Sequence, residues 1–129
     1  MWCMIASPLI LGNDLRNISK ETLAIITNKE AIAINQDALG IQGTLMYEQS
    51  PGLQVWMKKL TSKNNIKYAI ALLNRSGTAA EILLDFSKLG LPPKVKIRDV
   101  WTHEDLGKFE NKYTGKVPAH GVQMLIVQY

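Results

Sequence analysis

The 129-residue chain is predicted to be mainly β: an antiparallel β-sandwich of Greek-key type over residues 40–129, preceded by a short α/β segment over residues 1–39. Three observations point there. Beyond Gly43, apolar side chains recur with period two in short runs separated by turn residues, with no intervening helix, as antiparallel sheets packed face to face require. Before Gly40 the texture is helical, rich in Ala, Leu and Ile behind recognisable caps. At the front, Met1 to Leu11 (MWCMIASPLIL) carries no charge and almost no polarity. A segment apolar on every side needs burial on every side. It therefore reads as the inside of a larger domain, and the chain as the tail of a longer protein.

Within that segment, Met1 to Ser7 suits a buried helix end that Pro8 stops, because proline removes a backbone donor and clashes with the preceding turn. Leu9 to Leu11 then makes a very short apolar strand running into Gly12, Asn13 and Asp14. An apolar strand whose last residues turn polar is what the carboxyl end of a parallel barrel strand looks like. Ser19 is placed to cap a helix over about Lys20 to Thr27, with Glu21 in its first turn and Ile18 and Leu23 at staple spacing. Asn28 is placed to cap a further short helix through Ala31, Ile32 and Ile34, and Asn35, Gln36 and Asp37 lead out into the linker. A strand followed by helices is the closing unit of a repeated β/α fold.

In the second part, Leu53, Val55 and Met57 share one face of a strand, and Ile66 to Asn74 is apolar on both faces and so central. Glu81 to Phe86, Lys94 to Trp101 and Val122 to Tyr129 supply three more strands, with a weaker one near Lys108 to Tyr113. Ser50-Pro51-Gly52, Lys63-Asn64-Asn65, Arg75-Ser76-Gly77 and Gly90-Leu91-Pro92-Pro93 are the turns between them.

With 47% hydrophobic and 20% charged residues, wholesale disorder is excluded. The opening apolar run is shorter than the roughly 20 residues that cross a bilayer and lacks the marks of a signal peptide, so neither a membrane partner nor a compartment is read from it. The net charge of +4 raises the question of nucleic acid. The lysines, however, are scattered through strands and turns and form no arginine-rich stripe with interleaved aromatics, so solvated strand faces are expected and no nucleic acid. Cys3, the single cysteine, precludes an internal disulfide.

Two blocks carry a resemblance. Trp2-Cys3-Met4-Ile5-Ala6-Ser7-Pro8-Leu9-Ile10-Leu11-Gly12-Asn13-Asp14-Leu15-Arg16 is similar to the final barrel segment of the melibiase-type α-galactosidases and α-N-acetylgalactosaminidases. So is Asn28-Lys29-Glu30-Ala31-Ile32-Ala33-Ile34-Asn35-Gln36-Asp37, followed by Leu39-Gly40 and Gln42-Gly43. Leu72-Leu73-Asn74-Arg75, Asp99-Val100-Trp101 and Val117-Pro118-Ala119-His120-Gly121 agree with it. The resemblance implies a catalytic (β/α)8 barrel joined to a C-terminal antiparallel β-sandwich, with residues 1–39 the end of the barrel and 40–129 the sandwich. It implies an enzyme that removes terminal α-linked galactose with retention of configuration and without a cofactor. Retention needs two carboxyl groups about 5 to 5.5 Å apart. In this family both lie on earlier barrel strands, and no position here matches their motifs, so no catalytic residue is carried over and the chain by itself is expected to be inactive.

Local groups offer little chemistry of their own. Asn13 and Asp14 stand where a barrel presents polar groups to its pocket, which makes Asp14 the best candidate for supporting that pocket from behind; the plainer reading is a turn in which Asp14 bonds nearby amides. Glu104-Asp105 reads as a solvated turn. Cys3, His103 and His120 lack zinc-site spacing, and His120 reads as a turn histidine. Gly40 and Gly43 precede a strand and make no phosphate cradle. Trp56, Tyr68 and Trp101 suit packing better than sugar stacking, with Trp56 set against the barrel. The competing reading is a free-standing carbohydrate-binding or interaction module. Either way, uncovered residues 1–38 are expected to fold back on the sandwich or to pair with another copy.

Overall fold

The computed structural model describes residues Met1–Tyr129. Two short helices, α1 (Lys20–Ile26) and α2 (Lys29–Asn35), precede eight strands: β1 (Thr44–Ser50), β2 (Leu53–Leu60), β3 (Lys67–Asn74), β4 (Ala80–Asp85), β5 (Lys94–Asp99), β6 (Glu104–Glu110), β7 (Lys112–Val117) and β8 (Val122–Gln128). A six-stranded sheet runs β1-β2-β3-β8-β5-β6, and a two-stranded sheet pairs β4 with β7. Every pairing is antiparallel. The chain leaves the large sheet after β3, returns as β5–β6, leaves again as β7 and closes as β8 between β3 and β5, a Greek-key crossover.

Strand alternation sends each strand's residues to two different cores. On one face Leu53, Val55, Ile70, Leu72, Leu125 and Val127 meet Ile82 and Leu84 of β4, Val117 of β7 and Phe86 below them. On the other face Leu60, Ala69, Ala71, Met124 and Ile126 pack with Met4 and with Ala31 and Ile34 of α2. That second layer explains why β3 is apolar on both sides: it is covered twice.

The helix caps form as expected. The Ser19 hydroxyl accepts from Thr22 N at 3.1 Å, and the Asn28 side chain accepts from Ala31 N at 3.0 Å. The two helices differ in what they bury: α1 buries nothing, whereas α2 buries Ala31, Ile34 and Asn35.

Four expectations are corrected, and one strand was not foreseen. Met1–Ser7 forms turns, not a helix end, and only Met4 is buried. Leu9–Leu11 is not a strand: its backbone has no ladder partner in this chain, and Ile10 stays 77% exposed. The weak strand near Lys108 to Tyr113 is two strands, β6 and β7, reversing at Asn111, which takes a left-handed φ of 62°. Glu104-Asp105 opens β6, and the turn sits just before it, at His103 with φ 59°. Strand β1, with exposed residues and two register shifts against β2, lacks the clean alternation that would have announced it.

Candidate functional site

The polar chemistry of the chain concentrates where α2 lies on the large sheet. Glu30, in the first turn of α2, reaches Arg98 of β5 through two bonds, Nε to Oε2 at 3.0 Å and Nη2 to Oε1 at 2.7 Å. Such fork-to-fork pairing fixes orientation as well as distance. His103 places Nδ1 2.8 Å from the same Oε1, and Arg98 Nη1 donates to Asp105 at 3.1 Å. The guanidinium beside it holds the Glu30 carboxyl below the ordinary glutamate range, and Arg98 in turn is held more firmly protonated by its two carboxylates.

At the other end of α2, Lys58 of β2 is fully buried and donates from Nζ to Ile34 O at 2.6 Å and to Cys3 O at 3.2 Å. A cation against the last helical carbonyls is placed where the helix dipole favours it. Burial pulls the Lys58 ammonium below the ordinary lysine value, opposed in part by Asp37. Asp37 itself receives Thr61 N at 2.9 Å and Thr61 Oγ1 at 3.1 Å. Asn35 donates to Ser7 O at 2.8 Å, which ties the end of α2 to the residue before Pro8 and the Leu9–Leu11 run. At the start of α2, its cap Asn28 donates to Val100 O at 3.0 Å. The short helix is thus fastened at both of its ends.

Asp99, Val100 and Trp101 complete the junction. Asp99 Oδ1 accepts from Trp101 N and Thr102 N, shaping the turn that carries His103, while Oδ2 accepts from Gln123 Nε2 at 2.9 Å. Gln123 also donates to Tyr113 OH at 3.0 Å, and its Oε1 is buried without a partner. It lies over Gly115, where any side chain would collide with it.

Of the residues singled out from the sequence, Trp101, His103 and Asp105 belong to this junction, and the others fall around it. Asp14 is exposed and caps the 3₁₀ turn Leu15–Asn17, accepting from Arg16 N at 3.1 Å and pairing with Arg16 Nε at 2.9 Å. Arg16 holds its carboxyl below the usual range. Asn13 is exposed beside it. Cys3 is half-buried, and burial pushes its thiol up. Trp56 packs in the α2-side core and donates from Nε1 to Gln54 at 3.0 Å. His120 sits in the turn before β8 at φ 52°, with its amide donating to Ser76 O. No three His, Cys, Asp or Glu side chains gather as a metal site. Sequence reasoning missed Glu30, Arg98, Lys58 and Gln123. Only Lys58 left a trace, as a lysine on an alternating face that also carries Trp56 and Leu60.

Comparison with known proteins agrees with this architecture. The family described as "Alpha galactosidase C-terminal beta sandwich domain" matches residues 50–127, and "Alpha galactosidase A" matches residues 1–37. α-Galactosidase A of Cellvibrio japonicus is 37% identical over 97% of this chain, which covers 33% of that protein. The chain spans about a third of the length of the curated relatives it matches. Among solved structures, α-galactosidase I from Mortierella vinacea superposes with a TM-score of 0.88 at 34% identity, over 98% of this chain and 33% of that one. A GH27 β-L-arabinopyranosidase from Geobacillus stearothermophilus superposes with a TM-score of 0.83 at 25% identity, over 98% and 28% of the two chains. With family models matched over residues 1–37 and 50–127 and its whole fold superposed on these enzymes, the chain belongs to the melibiase-type α-galactosidase family, of which it carries the C-terminal β-sandwich and the segment leading into it.

Proposed function

We propose that this chain is the bracing part of an α-galactosidase whose reactive carboxylates lie in polypeptide outside these residues, and that by itself it hydrolyses nothing. In this reading residues 1–39 close the catalytic barrel, residues 40–129 form the sandwich beside it, and the whole enzyme removes terminal α-linked galactose from its substrates with retention of configuration. The observation that carries the reading is the contrast between the two ends of the leading segment. Helix α2 is fastened to the sheet by Glu30–Arg98, Asn28–Val100 and Lys58–Ile34, while Ile10, Leu11, Leu15 and Ile25 stay more than half exposed. Half of this segment is built to be held by the sandwich and half to be covered by something else.

In the whole enzyme the Leu9–Leu11 run, which has no ladder partner within this chain, gains one from the barrel and sets Asn13 and Asp14 at the barrel's mouth, where Asp14 supports the sugar pocket without reacting. Retaining hydrolysis needs a nucleophile and an acid at close range, and Asp14 has only Arg16 beside it. The galactose preference follows the relatives, and the arabinopyranosidase with the same sandwich supports the view that sugar choice is made elsewhere. Uncovered, the apolar segment pairs with a second copy of the chain.

The test is direct. The purified chain is incubated with a nitrophenyl α-galactoside, and no cleavage above the uncatalysed rate is expected. Cleavage that disappears on Asp14→Asn would overturn the reading. Titration with galactose or melibiose separates the competing module reading, which requires saturable binding. Light scattering is expected to show association that the double variant Ile10→Lys, Leu11→Lys weakens; a monodisperse wild-type monomer sinks the self-pairing.

A further inference from the structure

Beside α2, a cleft of about 660 Å³ opens on the same face of the large sheet. Its wall is the α2 flank carrying Ala33 and Ile34. Its floor is set by strand register. Lys67 of β3 stands opposite Gln128 of β8, Gln128 opposite Lys96 of β5, and Lys96 opposite Lys108 of β6. These four residues therefore form one straight row across four adjacent strands, about 14 Å long at the usual strand spacing.

The charges in this row are unbalanced. Like charges directly opposite on neighbouring strands, as Lys96 and Lys108 are, destabilise a sheet. None of the three lysines has a carboxylate within ion-pair reach; among the lysines only Lys94 does, with Glu110. The acids that line the cleft are already engaged. Glu30 is held by Arg98 and His103, Asp105 by Arg98, and Asp37 by Thr61 and the Leu39 amide. Arg98 offsets one of the three carboxylates, so the cleft keeps a surplus of one positive charge, and its cations without a carboxylate partner are the three lysines.

We propose that this lysine row is a binding site for a linear acidic polysaccharide, one bearing carboxylate or sulfate groups along its length. The three ammonium groups meet its charges, while the Gln128 amide and the Thr61 hydroxyl at the cleft's edge suit sugar hydroxyls. Of the floor strands, β3, β8 and β5 are paired on both sides; only β6 presents a free backbone edge, and a peptide strand added there would run along β6, across the direction of the lysine row and outside it. No aromatic side chain lines the cleft, and single-stranded nucleic acid would lack the stacking surfaces it uses. The site is independent of hydrolysis, and its ligand need contain no galactose.

Affinity electrophoresis of the intact chain through gels containing polygalacturonate, dextran sulfate or uncharged dextran tests it. Retardation is expected in a charged gel and none in uncharged dextran; the two charged gels separate carboxylate from sulfate as the favoured group. The triple variant Lys67→Gln, Lys96→Gln, Lys108→Gln is expected to lose affinity about tenfold, as three exposed ionic contacts imply. The control triple Lys63→Gln, Lys112→Gln, Lys116→Gln removes the same charge from other surfaces and is expected to bind as wild type. Equal loss in both triples shows that net charge alone is at work and overturns the site, as does free migration of wild type in both charged gels at low ionic strength. Tighter binding of polyuridylate than of either acidic glycan overturns the choice of ligand.

Discussion

The ammonium of Lys58 on β2 donates to the carbonyl of Ile34 in the last turn of α2 across 2.6 Å, with the lysine side chain walled off from water. A buried cation is costly unless its donors are used and something negative faces it. Here two carbonyls, the helix terminus and Asp37 share that task. The contact joins the sandwich both to the end of α2 and, through Cys3 O, to the segment that precedes the Leu9–Leu11 run.

Lys58→Met keeps the stem and removes the charge, leaving Ile34 O and Cys3 O without their donor. A loss of about 1–3 kcal/mol is expected by denaturant unfolding. Because burial lowers the folded-state pKa of Lys58, the unfolded chain binds more protons between that lowered value and the ordinary 10.5. Wild-type stability attributable to this group therefore rises with pH through that window, and the rise is absent from Lys58→Met. Parallel pH profiles of the two proteins would refute the assignment.

Glu30→Gln breaks the paired bonds to Arg98 at the start of α2. The Glu30 carboxyl is held below its ordinary 4.5, so its contribution is fully present above that value and fades as pH falls through the lowered one. Thermal melting is expected to drop at neutral pH, and the difference from wild type to shrink in acid below 4.5. A difference that stays constant down to the acid limit contradicts the pairing.

The two helix caps are chemically alike and energetically unlike. Asn28 bridges α2 to Val100 in a buried setting, so Asn28→Ala costs about 1–3 kcal/mol of global stability. Ser19 caps a helix that buries nothing, so Ser19→Ala is expected to speed amide exchange in Lys20–Ile26 while leaving the global transition unchanged. Equal effects of the two substitutions on global unfolding would show α1 to be part of the cooperative unit.

Gly115 has no room for a side chain. A Cβ there would lie 2.7 Å from Leu72 Cδ1 and would strike the Gln123 amide, which is pinned by Asp99 and Tyr113. Gly115→Ala is expected to cost about 1–3 kcal/mol through overpacking. Combining it with Gln123→Ala should recover part of that loss, and strictly additive losses would place the clash elsewhere.

Local patterns carried much of this protein. Ser19 and Asn28 announce their helices because a cap is a bond between near neighbours, and the alternation of Leu53, Val55 and Met57 announces a strand because side-chain direction is fixed by the backbone. The apolar faces of β3 even tell that it is covered twice. What tertiary structure alone decided is everything joined across distance. Glu30 finds Arg98 sixty-eight residues away, Lys58 finds the end of α2, and register draws Lys67, Lys96 and Lys108 into one row. Leu9–Leu11 shows the same division from the other side. Its composition is that of a strand, yet a strand exists only where a neighbour supplies the other half of each hydrogen bond, and within this chain none does.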